Sequence, residues 1–273
     1  MDASAHDPAA RRSPERDRRL NAVAWKDLVR YSRAEVAYEL TLSLPWLLAS
    51  LVAAHAGYYP PALGASFVFF LTGLRQAHNA QHYAIGVSRT ATDWVLFTLS
   101  ILMLGSMHAV QFNHLRHHRY CLSDEDLEAM SARLPGWRAI LLGPVFPWRL
   151  HAAALRRAPR WQRRWVVAEL LANVVAIALV WTLAPTWARY HLFAMAAGQC
   201  LTAFFAVWTV HHGCDPQGVF ARTIRRPWAA RVTYAMFYHV EHHLFPAVPT
   251  RHLPVLARRI DAVAPEWNAQ RVF

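Results

Sequence analysis

Residues 93–112 read Asp93-Trp94-Val95-Leu96-Phe97-Thr98-Leu99-Ser100-Ile101-Leu102-Met103-Leu104-Gly105-Ser106-Met107-His108-Ala109-Val110-Gln111-Phe112, and whether this stretch crosses a bilayer decides the fold. Trp94–Val110 is apolar enough to span, and hydropathy alone counts it as a crossing. Its flanks argue otherwise. Upstream lies His78-Asn79-Ala80-Gln81-His82, and downstream His114-Leu115-Arg116-His117-His118. The 31 residues from Tyr83 to Asn113 are too few for two crossings at about 20 residues each. A single crossing strands the two clusters on opposite faces, where they cannot share a site. Ser100, Gly105, Ser106 and His108 also weaken the stretch as a lipid-exposed span. It is therefore expected to dip into the membrane, or lie along it, and return.

Working outward, a third cluster, His239-Val240-Glu241-His242-His243, lies toward the other end of the chain. On a helix, positions i, i+3 and i+4 share a face, so each cluster can present its imidazoles together. With 16 histidines in 273 residues, roughly 0.05 copies of H-x-x-H-H arise by chance. Two are present, so composition alone does not explain them.

The chain is 55% hydrophobic and only 17% charged, which is low for a soluble domain and points to an integral membrane protein. Spans fit about residues 35–56, 62–82, 165–185 and 190–211, paired through turns at Gly57-Tyr58-Tyr59-Pro60-Pro61 and at Pro185. Residues 133–164, with Trp137, Trp148, Trp161 and many arginines, read as interfacial amphipathic helix. The expected fold is an all-α integral membrane protein with four transmembrane helices in two hairpins, interfacial amphipathic helices and a cytosolic histidine-rich cap. Residues 1–34 are expected to form a polar, disordered tail leading into an interfacial segment at Trp25–Tyr31. Residues 35–260 form the membrane domain, and 261–273 a C-terminal tail.

Of 29 basic residues, all arginine except Lys26, only Arg189 falls in a short turn. The positive-inside rule then places the N-terminus, residues 75–164 and the C-terminal region in the cytosol, in the cytoplasmic membrane if the source is bacterial. The net charge of +12 is thus a topology signal, and nucleic acid is not an expected partner. No short apolar segment near the start precedes a small-residue cleavage site, so no signal peptide is expected. Cys121, Cys200 and Cys214 form no C-x-x-C pair and no iron–sulfur spacing, so electrons for redox chemistry must come from another protein.

Eight clustered imidazoles exceed any single first-row metal site, so two metals are implied. Their N-rich character with open positions suits redox iron that activates oxygen. Zinc hydrolysis is disfavoured because no His-Glu-x-x-His is present. Bis-histidine haem would place lone histidines at matching depths in facing helices, not in three dense clusters.

His78–His82 as H-x-x-x-H, with His114–His118 and His239–His243 as H-x-x-H-H, resemble the three boxes of the membrane fatty acid desaturases. Tyr238-His239-Val240-Glu241-His242-His243-Leu244-Phe245-Pro246 is especially similar to the third box. In box order, helix pairing and spacing the resemblance runs from about Glu35 to Ile260. It implies His78, His82, His114, His117, His118, His239, His242 and His243 as ligands to two iron ions, with O2 as co-substrate and a lipid acyl chain drawn from the bilayer. It further implies a ligand at the end of the fourth helix, where His211-His212-Gly213 stands. Adjacent helical residues point about 100° apart, so one of the two is expected to reach the metals, and His211 is preferred. Some members carry an asparagine one turn earlier; Val207 and Trp208 stand there instead, so no water-mediated asparagine ligand is expected.

The resemblance implies a fatty acyl desaturase that introduces a C=C bond. Related enzymes with similar histidine sets hydroxylate or ketolate carotenoids, alkanes or other hydrophobic chains, and that outcome stays open. A metal-binding transporter or sensor is an alternative of another class, disfavoured because such sites usually lie mid-membrane. No H-P-G-G haem motif is present, so the expected electron donor is a separate ferredoxin or similar carrier. Asn113, Asp124, Asp126 and Glu241 are candidate acceptors for ligand N–H groups, although Glu241 points off the ligand face, with an arginine as its alternative partner. His6, His55, His151, His191 and His252 have ordinary tail or interfacial readings, with His108 the exception because it precedes the second cluster closely. Phe67, Phe69, Phe70 and Leu71 read as lipid-facing or packing residues.

Overall fold

The computed structural model describes residues 18–215 and 219–270, and helices make up its regular structure, with no strand among the described residues. His6 lies outside them.

α1 (Arg33–Thr41) begins at a capping box in which Ser32 accepts the Glu35 N–H and the Glu35 carboxylate accepts the Ser32 N–H. After a break at Leu42-Ser43, α2 (Leu44–His55) continues with Pro45 in its first turn, where a missing N–H costs little. α3 (Tyr59–Gln81) turns back along α2. α4 (Arg89–Met103) and α5 (Met107–Tyr120) follow, then the short α6 (Gly136–Leu141) and α7 (Phe146–Arg157). α8 (Arg160–Leu183) and α9 (Thr186–Thr202) form a second hairpin, and α9 runs through a π turn at Ala203–Trp208 into α10 (Thr209–His211). α11 (Pro227–Val232), α12 (His239–Leu244) and α13 (Leu253–Val263) are the last α-helices among the described residues.

Three helical units are long and apolar enough to cross a membrane: Arg33–His55, Arg160–Leu183 and Thr186–His211. The count rises to four if the bent α4–α5 pair is one span. Most residues of these units face outward, and on α8 Leu171, Val174, Val175 and Leu179 are exposed, as suits contact with lipid. α3 has 23 residues, about 34 Å at 1.5 Å per residue, but its last two turns are polar. Those polar groups are buried and paired. Arg75 makes a bidentate pair with Glu39 at 2.8 Å and also donates to the Tyr234 carbonyl at 2.9 Å. Asn79 donates to Glu39 and accepts from the Thr250 N–H and hydroxyl. The end of α3, with its histidines, is thereby fixed to the C-terminal segment that carries the third cluster.

Residues 93–112 bend sharply: the axes of α4 and α5 differ by 113°, the geometry of a broken span or of a re-entrant loop. Leu104 adopts left-handed backbone geometry (φ 55°), and Gly105 lies so close to Gln199 that a Cβ would meet its Nε2 at 2.8 Å. Gln199 caps the end of α4 by donating to the Met103 carbonyl. The first turn of α5 is satisfied amide by amide, as a helix start buried away from water requires. Ser106 N–H donates to His151 Nε2, Met107 N–H to Ser100 Oγ, His108 N–H to Glu169, and Ala109 N–H to Ser106 Oγ. Glu169, fully buried on α8, also accepts from the Ser106 hydroxyl at 2.5 Å and meets His108 Nδ1 at 2.6 Å. The polar residues that weaken this stretch as a span are those that make the bend.

Three expectations need correction. The polar tail gives way from Arg18 onward, because Leu20, Val23 and Leu28 are buried against Leu253, Leu256 and Ile260. The C-terminal tail likewise packs as far as it is described, with Ala264 buried and Trp267 against Phe220, while residues 271–273 lie outside the described residues. Only the extent of the 133–164 amphipathic segment changes: it is two short helices, α6 and α7, with Phe146, Leu150 and Ala154 buried and Trp137 and Trp148 exposed, and Arg160–Arg164 already belong to α8. In the aromatic stripe, Phe69 and Phe70 pack in the core while Phe67 faces outward.

Candidate metal centre

α3, α5, α10 and α12 deliver their histidines to one place. α5 is tied to α3 by Gln111 donating to the Gln81 carbonyl, to α8 by Gln162 donating to Gln111, and to α7 by Asn113 donating to the Leu150 carbonyl. α12 is anchored from its opposite face, where buried Glu241 accepts from Thr223 at 2.8 Å and from Arg225, itself paired with Asp261.

The imidazoles sort into two groups that cut across the sequence clusters. His78, His82, His114, His118 and His242 form one, with Nε2–Nε2 separations of 3.0 Å for His82–His114, 3.2 Å for His114–His118 and 2.9 Å for His118–His242. His78 joins through its packing on His242 at 4.1 Å and His114 at 4.8 Å between ring centres. His117, His211, His239 and His243 form the other, at 3.0 Å for His117–His211, 3.2 Å for His117–His243, 2.8 Å for His211–His239 and 3.1 Å for His239–His243. The two groups touch where His118 and His243 pack at 4.4 Å.

Converging lone pairs fit a cation better than a hydrogen-bond chain. His114 Nε2 has two other Nε2 atoms within 3.2 Å, and one ring proton cannot serve both. His78 Nδ1 is buried with no hydrogen-bond partner. At a metal–nitrogen distance of about 2.05 Å, neighbouring donors lie about 2.9 Å apart at right angles and about 3.3 Å apart in a tetrahedron. The observed 2.8–3.2 Å favours the right-angled arrangement.

The far ring nitrogens are held by acceptors, which leaves Nε2 bare. His114 Nδ1–H faces Glu128 at 3.0 Å, His117 Nδ1–H faces Asp126 at 2.7 Å, and His211 Nδ1–H donates to the Phe220 carbonyl at 2.9 Å. Burial works against charge on Asp126, but His117 and the N–H groups of Leu122 and Ala129 outweigh it and hold the carboxyl below its usual range. Burial, together with neighbouring imidazoles, pushes His239, His242 and His243 well below the usual histidine range and favours the neutral form that binds metal; burial also opposes charge on His117, but the Asp126 carboxylate outweighs it and raises that ring to about 9.

His212 turns away, donating to the Ala132 carbonyl at 3.0 Å and stacking on Trp208. His108 stacks on Trp165 beside Glu169, apart from both groups. His55 packs on Trp187, His151 serves the bend, His191 pairs with the Leu102 carbonyl, and His252 bridges the Leu28 carbonyl and Glu35. Of the candidate acceptors, Asp126 alone contacts a clustered histidine; Asp124 is exposed near Arg133, Asn113 ties helices together, and Glu241 pairs with Arg225. Glu128 and the Phe220 carbonyl escape sequence reasoning, since neither lies in a cluster. So does Cys121, four residues after His117, whose sulfur lies within 4.8 Å of donor nitrogens of His117, His211 and His243.

A cavity of about 70 Å³ borders both groups, touching His78 and His114 of one and His211 and His239 of the other. Its remaining lining is mostly apolar, including Leu74, Val110, Phe146, Leu150, Val207 and Phe237.

A helical membrane protein with two adjoining groups of clustered imidazoles that could hold metal, beside a largely apolar cavity, fits the membrane oxidoreductase class. The fatty acid desaturase family model matches residues 52–272, and the chain belongs to that family. It is 28% identical over 204 residues to the human sphingolipid delta(4)-desaturase/C4-monooxygenase DES2, an alignment covering 70% of this chain. The chain spans 59% of that relative's length.

Proposed function

We propose that this protein is an oxygen-dependent diiron lipid oxidase, a fatty acyl desaturase that introduces a C=C bond into a chain drawn from the bilayer. The observation that carries this reading is the apolar cavity bordered by histidines of both groups, which lets a hydrocarbon segment lie against two metals at once. His78, His82, His114, His118 and His242 would hold one iron, and His117, His211, His239 and His243 the other. The bound pair would supply activation of O2 and removal of hydrogen from adjacent methylenes. In balance, the substrate and an external donor each give two electrons, and with two protons O2 leaves as two waters.

The chain's own residues position and shield. Phe146, Leu150, Val207 and Phe237 exclude water from the cavity, while Glu128, Asp126 and the Phe220 carbonyl fix ring orientation and tautomer. Four crossings, by α1–α2, α3, α8 and α9–α10, with α4–α5 dipping and returning, keep the centre on the arginine-rich, cytosolic side. An acidic ferredoxin or similar carrier would dock on that basic surface.

Lipid profiling of cells expressing the wild type, His117→Ala or His242→Ala tests the proposal. Wild type alone yields a new unsaturated product, and both variants lose product and bound iron. Full activity in either variant sinks the ligand assignment. The relative's name joins desaturation to monooxygenation, so hydroxylation is the second reading. Retention of isotopically labelled oxygen in the product separates the two.

A further inference from the structure

Cys121 is buried and closes α5 at the edge of the second histidine group. Four residues after His117, it lies on the same helical face one turn further on. Its sulfur and donor nitrogens of His117, His211 and His243 all lie within 4.8 Å of one another. With metal–nitrogen and metal–sulfur distances of about 2.1 and 2.3 Å, donors on opposite sides of one ion lie about 4.4 Å apart. The sulfur is within a few tenths of an ångström of that reach. Its hydrogen bond to the Phe220 carbonyl is long, 3.9 Å, and that carbonyl already accepts from His211 Nδ1–H at 2.9 Å. Asp126 holds it in register, since one carboxylate oxygen accepts both His117 Nδ1–H and the N–H of Leu122, the residue after the cysteine. Donors that lie within 4.8 Å of one another number four in each group: His78, His82, His114 and His242 in the first, and His117, His211, His243 and Cys121 in the second.

We propose that Cys121 supplies a sulfur ligand to the metal held by His117, His211, His239 and His243, making the centre one five-imidazole site beside one four-imidazole, one-thiolate site. The inference rests on the diiron reading above. Thiolate is a good donor to iron, and coordination exchanges the S–H bond for a metal–sulfur bond while the proton leaves to solvent. Without metal, burial pushes the Cys121 thiol up and keeps it protonated. The sulfur would donate charge to one iron only, so the two metals would differ electronically despite similar histidine shells.

The test is iron K-edge X-ray absorption and visible spectroscopy on the purified, iron-loaded protein, with Cys121→Ser and Cys121→Ala alongside. The wild type should show a sulfur scatterer at about 2.3 Å, one for each pair of irons, and a sulfur-to-iron charge-transfer band. Both variants should lose the scatterer and the band while keeping most of their iron. A wild-type shell of nitrogen and oxygen only, at full iron content, overturns the sulfur ligand and leaves the diiron reading intact. A sulfur signal unchanged in Cys121→Ala also overturns it. A wild type that binds no iron overturns both. The wild-type spectrum decides the matter even if a variant fails to fold.

Discussion

Glu169→Leu is the most telling perturbation of the fold. Glu169 is fully buried, and its carboxylate receives the His108 N–H at 3.2 Å and the Ser106 hydroxyl at 2.5 Å while facing His108 Nδ1 at 2.6 Å. Leucine fills a similar volume but leaves these groups at the start of α5 without an acceptor. Breaking a buried pair by removing one member costs about 3–5 kcal/mol, because the orphaned partner stays out of water. At about 2–4 °C per kcal/mol for a chain of this size class, the melting temperature should fall by roughly 6–20 °C. Glu169→Gln should cost far less. Its carbonyl can still accept from His108 N–H and Ser106, and its amide can donate to His108 Nδ1 if the ring proton moves to Nε2, which faces Asp93 at 3.5 Å. Differential scanning fluorimetry in detergent reads both variants. Because α5 carries His114, His117 and His118, iron retention should fall with stability in the leucine variant and survive in the glutamine one. Equal melting temperatures for Glu169→Leu and wild type would refute the idea that this carboxylate holds the bend.

Asp126→Asn keeps the size of the side chain but removes the charge behind His117, so metal affinity should drop about 10–100-fold in chelator competition, and unchanged retention would count against the carboxylate's role. Turnover with a reconstituted acidic ferredoxin should decline as ionic strength rises, and indifference to salt would discount electrostatic docking. For sidedness, Tyr58→Cys should react with a membrane-impermeant maleimide on intact cells, whereas Arg156→Cys should react only after permeabilisation. The reverse pattern would place the centre on the outer face.

Much of the protein is readable along the chain because the governing physics is local. Apolar runs long enough for a bilayer mark α1–α2, α8 and α9–α10, and the i, i+3, i+4 spacing marks the histidine faces. The 31 residues between the first two clusters are too few for two crossings by chain length alone, and the chain bends at Leu104–Ser106. What satisfies that bend is not local: Glu169 and His151 come from α8 and α7, and no spacing rule connects them to Ser106 or His108. The N-terminal segment misleads for a related reason, since Leu20, Val23 and Leu28 are too sparse to announce burial until α13 offers them a surface.

Sequence by itself determined that three histidine clusters exist, that each lies on one helical face, and that the chain is a membrane protein with a desaturase's signature. Only the tertiary structure decided which imidazoles stand together. Neighbours His117 and His118, like His242 and His243, go to different groups because adjacent helical residues diverge by about 100°. Likewise, Cys121 gains meaning only when His211 and His243 are brought beside it, since that nearness comes from the packing of elements far apart in the chain.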